Sequence, residues 1–297
     1  MEISDEDYVL LASLAYRDVG AEFALVLESR GIEVRQEMLQ RSCLLRVPRH
    51  QLERALFELE QYRVENTRAV VADRPEFEGA GWPGVIVFVA VIVAILVPVS
   101  NFLFGRDWLA IGRVDGAAMR AGEWWRAITA LTLHADAAHL LGNAGFGSFF
   151  GFAVGRALGG GVGWLLIVMS GAVANLINAW VSGAGHRSIG ASTAVFAALG
   201  ILTAYSWRTG RRRHVSWRQR IAPVIAGLGL LAFTGSGSGS PDANVDIGAH
   251  LFGFLMGAAA GLGIAQIGPV TARRTQITCG AVAMALVASG WVWAIVS

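Results

Sequence analysis

The chain has 297 residues, 54% of them hydrophobic and only 15% charged, with a mean hydropathy of +0.51. Soluble domains carry roughly one quarter charged residues, so most of this chain is expected to lie in a membrane. All 24 basic residues are arginine, and a net charge of +2 is too small to argue for a nucleic-acid partner.

Sixteen of the 22 acidic residues precede position 80, which predicts a soluble head followed by a membrane body. The head, residues 1–68, reads as a small α/β cytosolic domain. "AEFALVLESRG" has helical spacing and closes on Gly31, a favoured C-cap residue. "IEVR" and "SCLLRV" are short and strand-like. "PRHQLERALFELEQY" opens with Pro48 and keeps Leu52, Leu56 and Leu59 on one face. Two helices against a small sheet are predicted, serving as a stabilising or partner-binding module. The acidic start argues against a cleavable signal peptide. Residues 69–83 form a linker. Cys43 and Cys279 fall in different zones and in no CxxC spacing, so neither a disulfide framework nor a zinc site is implied.

About twenty apolar residues cross a bilayer as a helix. Seven spans are predicted near 84–104, 139–157, 162–182, 190–207, 221–235, 247–267 and 277–296. The second, fourth and fifth are short or flanked by polar residues. "GRDWLAIGRVDGAAMRAGEWWRAITA" joins the first two and is rich in tryptophan, as interfacial segments are. A cytoplasmic N-terminus puts Arg208, Arg211, Arg212, Arg213, Arg218, Arg220, Arg273 and Arg274 inside, in keeping with the positive-inside rule. Arg106, Arg113, Arg120 and Arg126 run against it and are expected to pair or snorkel. Gly147, Gly151 and Gly155 in the second span, and Gly253, Gly257 and Gly261 in the sixth, form small-xxx-small stripes that allow close helix packing.

Polar residues inside such spans are costly and need a reason. "LTLHADAAHLLGN" places His139 and Asn143 four apart, on one face of the second span, with His134 just upstream. A metal site is disfavoured there, because HADAAH is not HExxH and five residues is a poor ligand spacing on one helix. His134 is expected to brace the loop. "GAST" opens the fourth span and puts Ser192 in a first helical turn, where N–H groups and the helix dipole favour negative charge on a nearby oxygen. The hydrolase elbow would want a second glycine two residues on, and Ala194 stands there. "GAHLFGFLMG" opens the sixth span. His250 in it should face another helix, with Asp246 capping the helix start or orienting the imidazole. His50, His186 and His214 are expected to be solvated. Ser192, His250, His139 and Asn143 all fall near the outer ends of inward-running spans. A nucleophile, a base and two donors at one level suit acyl transfer.

From about 84 to 265 the sequence resembles the rhomboid family of intramembrane serine proteases. The likeness rests on "WWRAITALTLHADAAHLLGN", "GAST" and "GAHLFGFLMG", in the family's order. It implies an α-helical polytopic membrane protein with a six-helix protease core over 84–267, and an additional transmembrane helix at 277–296. It further implies a dyad in which Ser192 attacks a peptide carbonyl and His250 accepts its proton. His139, Asn143 and the Ser192 N–H would form the oxyanion hole. Gly190, Phe196, Trp125, Arg126 and His134 would support it, with Phe196 stacked on His250 in place of the family's frequent tyrosine. No cofactor or metal is implied. The expected partners are transmembrane protein substrates and the lipid bilayer, in a bacterial inner membrane with the site opening outward. The 236–247 loop is expected to cap the cavity. Two rival readings stand beside the protease: a catalytically silent rhomboid-like binder or scaffold for membrane proteins, and a small transporter. Clustering of the polar groups near one surface, without a repeat of spans, argues against the transporter.

Overall fold

Gly31 ends the first helix of the head by adopting φ +72°, a region open to glycine, while Gly31 and Ile32 donate to Glu28 and Leu27 carbonyls. The computed structural model describes residues 7–14, 17–38, 43–65, 77, 81–210, 225 and 246–297, and the chain divides into two units, Met1–Ala72 and Asp73–Ser297.

The head contains β1 (Tyr8–Leu14), α1 (Arg17–Ser29), β2 (Arg35–Met38), β3 (Cys43–Pro48) and α2 (Leu52–Glu65). The antiparallel sheet has the order β1-β3-β2, with Val9 opposite Val47 and Gln36 opposite Leu45. Phe23, Leu27, Ile32, Cys43, Leu45, Val47, Ala55 and Leu59 form its core. Strand β1 is not among the elements expected from the sequence. Its run YVLLASL lacks clean alternation, and the ladder slips between Leu10 and Ala12. The second strand also starts later than "IEVR" implies, because Ile32 is taken up in closing α1.

The membrane unit begins with α3 (Gly81–Asn101), three residues inside the expected linker. The connection that follows folds into α4 (Trp108–Gly112), β4 (Val114–Asp115), α5 (Gly116–Arg120), α6 (Arg126–Thr129) and a 3-10 turn, Ala130–Thr132. Then come α7 (Ala137–Leu158), α8 (Gly160–Ser182), β5 (Arg187–Ser188), α9 (Ser192–Gly210), α10 (Ile247–Ile267) and α11 (Arg273–Val296). Among the described residues, α3, α8, α10 and α11 are long and apolar enough to cross a bilayer. The chain is a multi-pass helical membrane protein.

Helices α7 and α9 match the expected second and fourth spans in position, yet are less apolar. For α9 the reason is its place: it packs against α7, α8 and α10, and residues 194–201 are all buried. A helix shielded from lipid has no need of a wholly apolar surface. The expected fifth span at 221–235 apart from residue 225, most of the arginine-rich 208–220 loop with His214, and the 236–247 cap up to residue 245 lie outside the described residues.

Two kinds of glycine contact hold the bundle. On α10, a Cβ at Gly253, Gly257 or Gly261 would lie 2.5, 2.0 or 2.5 Å from the carbonyl oxygens of Thr193, Ala197 and Ile201. A Cβ at Gly200 would likewise meet the Phe254 carbonyl at 2.2 Å. The backbones of α9 and α10 therefore touch directly, turn for turn. On α7 the glycines make room for rings instead of backbone. Positions beside Gly147 and Gly151 are filled by Phe88 and Trp164, which stack with centroids 5.2 Å apart.

Candidate active site

Backbone contact between α9 and α10 fixes the depth at which their first turns meet. Ser192 starts α9 and His250 sits in the first turn of α10. Their side chains meet, with Ser192 Oγ 2.8 Å from His250 Nε2. For the imidazole to accept the hydroxyl proton at Nε2, Nδ1 must carry the ring's own hydrogen. His250 is 4% exposed, and its Nδ1 has no hydrogen-bond partner among the described residues. Phe196, one turn after the serine, lies flat on the imidazole with ring centroids 4.4 Å apart and planes 19° apart. The ring's orientation is thus set by stacking rather than by a carboxylate.

The chain reaches Ser192 through Gly190, whose φ of +129° strains any residue with a side chain. A second constraint acts there: a Cβ would lie 2.7 Å from His139 Nε2 and 3.5 Å from Ser192 Oγ. His139 therefore borders the same small space as the hydroxyl. Asp136 caps α7 by accepting from the His139 N–H at 2.8 Å, so its carboxylate is engaged by backbone. Asn143, one turn further along α7, is 7% exposed, and its Nδ2 has no protein partner among the described residues. His134 is 2% exposed and meets His139 edge to face, with centroids 5.1 Å apart.

Trp125 and Arg126 stand apart from these groups and organise the first connection. Arg126 bonds Glu123 Oε2 at 2.7 Å and the carbonyls of Ala110 and Arg113 at 2.7 and 3.1 Å. Trp125 stacks on Trp293 of α11. Arg106 and Arg120 also end on carbonyls, of Ile295 and of Gly116, Ala179 and Trp180. The connection in turn holds the approach to the serine: β4 pairs with β5, and the Gly190 N–H donates to the Ala130 carbonyl at 3.0 Å.

The Rhomboid domain profile matches residues 121–267, which contain Ser192, His250, His139, Asn143 and His134. The putative rhomboid protease YdcA of Bacillus subtilis is 30% identical over 181 residues, covering 58% of this chain and 84% of its own length. The chain belongs to the rhomboid family. It is also 30% identical to the rhomboid protease GluP of the same organism, over 54% of this chain and 30% of GluP. A third relative, Rhomboid-like protease 2 of Toxoplasma gondii, is 30% identical over 54% of this chain and 56% of its own length. The matched stretch is thus less than two thirds of GluP and of the Toxoplasma protein.

One polar cluster in this rhomboid chain escapes the sequence analysis. Asp246 caps α10 by accepting from the Ala249 N–H at 2.9 Å, and does not reach the His250 ring nitrogens. Its other oxygen accepts from Asn178 Nδ2 at 2.8 Å and lies 3.0 Å from His186 Nε2. His186 is accordingly half-buried and bonded rather than solvated. The available signal was Asn175 and Asn178, two polar residues within the third span. The cost argument applied to His139 applies equally to them. Asn175 ties α8 to the Ala127 carbonyl at 3.0 Å.

Proposed function

We propose that this chain is an intramembrane serine protease working through a Ser192–His250 dyad. The observation that carries the proposal is the 2.8 Å contact between Ser192 Oγ and His250 Nε2, made by two separate helices in a part-buried setting. His250 takes the hydroxyl proton as Ser192 attacks a peptide carbonyl, then returns it to the leaving amine. The developing oxyanion is held by the Ser192 N–H at the start of α9, with His139 and Asn143 as further donors. Such groups act where charge appears, in a medium of low dielectric. Asn143 Nδ2 is buried and free of a protein acceptor among the described residues, as a donor awaiting an oxyanion would be.

The substrates are membrane-anchored proteins. A transmembrane helix conceals its peptide bonds in i→i−4 hydrogen bonds, so the cut segment must unwind locally, and small or helix-weakening residues near the outer boundary favour this. The arginine distribution supports a cytoplasmic N-terminus and a site open to the outer side, which we place in a bacterial inner membrane. Residues 1–68 form the accessory head, 69–83 the linker, 84–267 the protease core and 277–296 an added span.

Ser192→Ala and His250→Ala are each expected to abolish cleavage of a transmembrane reporter in proteoliposomes while preserving the thermal transition. A serine-directed fluorophosphonate should label the wild type and not Ser192→Ala. Cleavage that persists in both variants would remove the dyad.

A further inference from the structure

Ser192 and His250 come from different helices, and the stacked glycines that set the spacing and depth of those helices begin at Gly253, after the first turn of α10. That turn carries His250 and needs its own anchor. The chain supplies one at Asp246, four residues before the imidazole. One carboxylate oxygen caps α10 at the Ala249 N–H, and the His250 N–H bonds the Asp246 carbonyl at 3.2 Å. The other oxygen meets Asn178 Nδ2 at 2.8 Å and His186 Nε2 at 3.0 Å. Asn178 belongs to α8 and is 1% exposed, and Ser182 Oγ donates to its Oδ1 at 3.2 Å. His186 lies in the loop that leads to Ser192, and its carbonyl accepts from the Gly116 N–H at 2.9 Å. Even the intervening glycine belongs to the junction: a Cβ on Gly248 would lie 2.5 Å from Asn178 Oδ1.

We infer that Asp246 is a positioning residue of the site, locking the turn that bears His250 to Asn178 and to the His186 loop that bears Ser192. A cap needs one oxygen and one N–H. Here the second oxygen joins both halves of the dyad through a single carboxylate, and charge-assisted bonds of this kind are about twice as strong as neutral ones. Loss of the junction lets the imidazole drift from the hydroxyl without removing either group. Misplacement of about 1 Å costs on the order of a hundredfold in rate.

The test separates cap from lock. Asparagine is as good a helix cap as aspartate, so Asp246→Asn keeps the bond to Ala249 and loses the charged bridge. Asp246→Asn and His186→Ala are each expected to stay folded, with at most a modest drop in thermal midpoint, and to keep the wild-type KM for a transmembrane reporter. Both should lower kcat, and the rate of fluorophosphonate labelling, by roughly tenfold or more. The double variant should be no slower than either single one, as residues sharing one interaction are not additive. Wild-type labelling and kcat in Asp246→Asn and His186→Ala would overturn the lock and leave Asp246 a cap only. The activity readout rests on the protease reading, whose failure shows differently: wild type and Ser192→Ala would label alike. Amide exchange at residues 247–250 then decides, faster exchange in Asp246→Asn supporting the lock and unchanged exchange overturning it.

Discussion

Asn143 and Phe196 illustrate how differently two neighbours of the proposed dyad can act. Asn143 offers a buried N–H pair with no acceptor among the described residues, and in the proposed mechanism its value lies in the transition state. Asn143→Ala is expected to lower kcat by a hundredfold or more while leaving KM within a few fold, measured on a transmembrane reporter. Phe196 offers a flat surface to His250, and removing it frees the imidazole to rotate. Phe196→Tyr should keep near-wild-type kcat, whereas Phe196→Ala should lose about tenfold or more through misplacement of the base. Equal losses in the two variants would sink the stacking account. At this scale His250, His139 and Asn143 were legible as polar residues costly in lipid, and Ser192 as a hydroxyl in a first helical turn. The partners of Asp246 were not. Hydrogen bonds between Asn178, His186 and Asp246 link positions 68 and 60 residues apart, and only the packing of α8 beside α10 reveals them.

Among the elements, α9 and α10 are aligned by backbone rather than by side-chain interlock. Gly257 is the most closely met of the three α10 glycines, and a Cβ there would sit 2.0 Å from the Ala197 carbonyl. Gly257→Val is expected to lower stability by about 3 kcal/mol in a detergent unfolding series and to reduce Ser192 labelling with it. A variant that labels normally at full stability would contradict direct backbone contact. The glycine period signalled close packing in the sequence, but not which helix α10 would meet. The same period in α7 misleads, because Phe88 and Trp164, not a neighbouring backbone, occupy the space beside Gly147 and Gly151. In the head, the helices were readable from their 3.6-residue spacing. Strand β1 was not, since a nearly continuous apolar run carries no period of two.

Across the whole molecule, the first connection ties the bundle together and brings a measurable pH dependence. The Asp115 carboxyl is held below the ordinary carboxylate range by the Ala118 N–H first, with Arg187 and the Ala117 N–H adding to it. A depressed acid stabilises the fold above its unfolded value, about 3.9, and that contribution is lost as pH falls through its lower folded value. The thermal midpoint of the wild type should therefore drop more steeply below about pH 4 than that of Asp115→Asn. Parallel slopes would show that Asp115 contributes nothing. The chain's last helix has a consequence for traffic into the site. Gln276 of α11 bonds the Leu158 carbonyl and the Val162 N–H at the α7–α8 turn, while Trp291 Nε1 donates to Thr132 Oγ1 and Arg106 holds the Ile295 carbonyl. Pinned near both ends, α11 closes its own flank, so under the proposed protease reading a client helix is expected to arrive from another quarter. Photoreactive groups at Val282 or Met284, both exposed on either side of the buried Ala283, should capture lipid and leave the proposed client untouched.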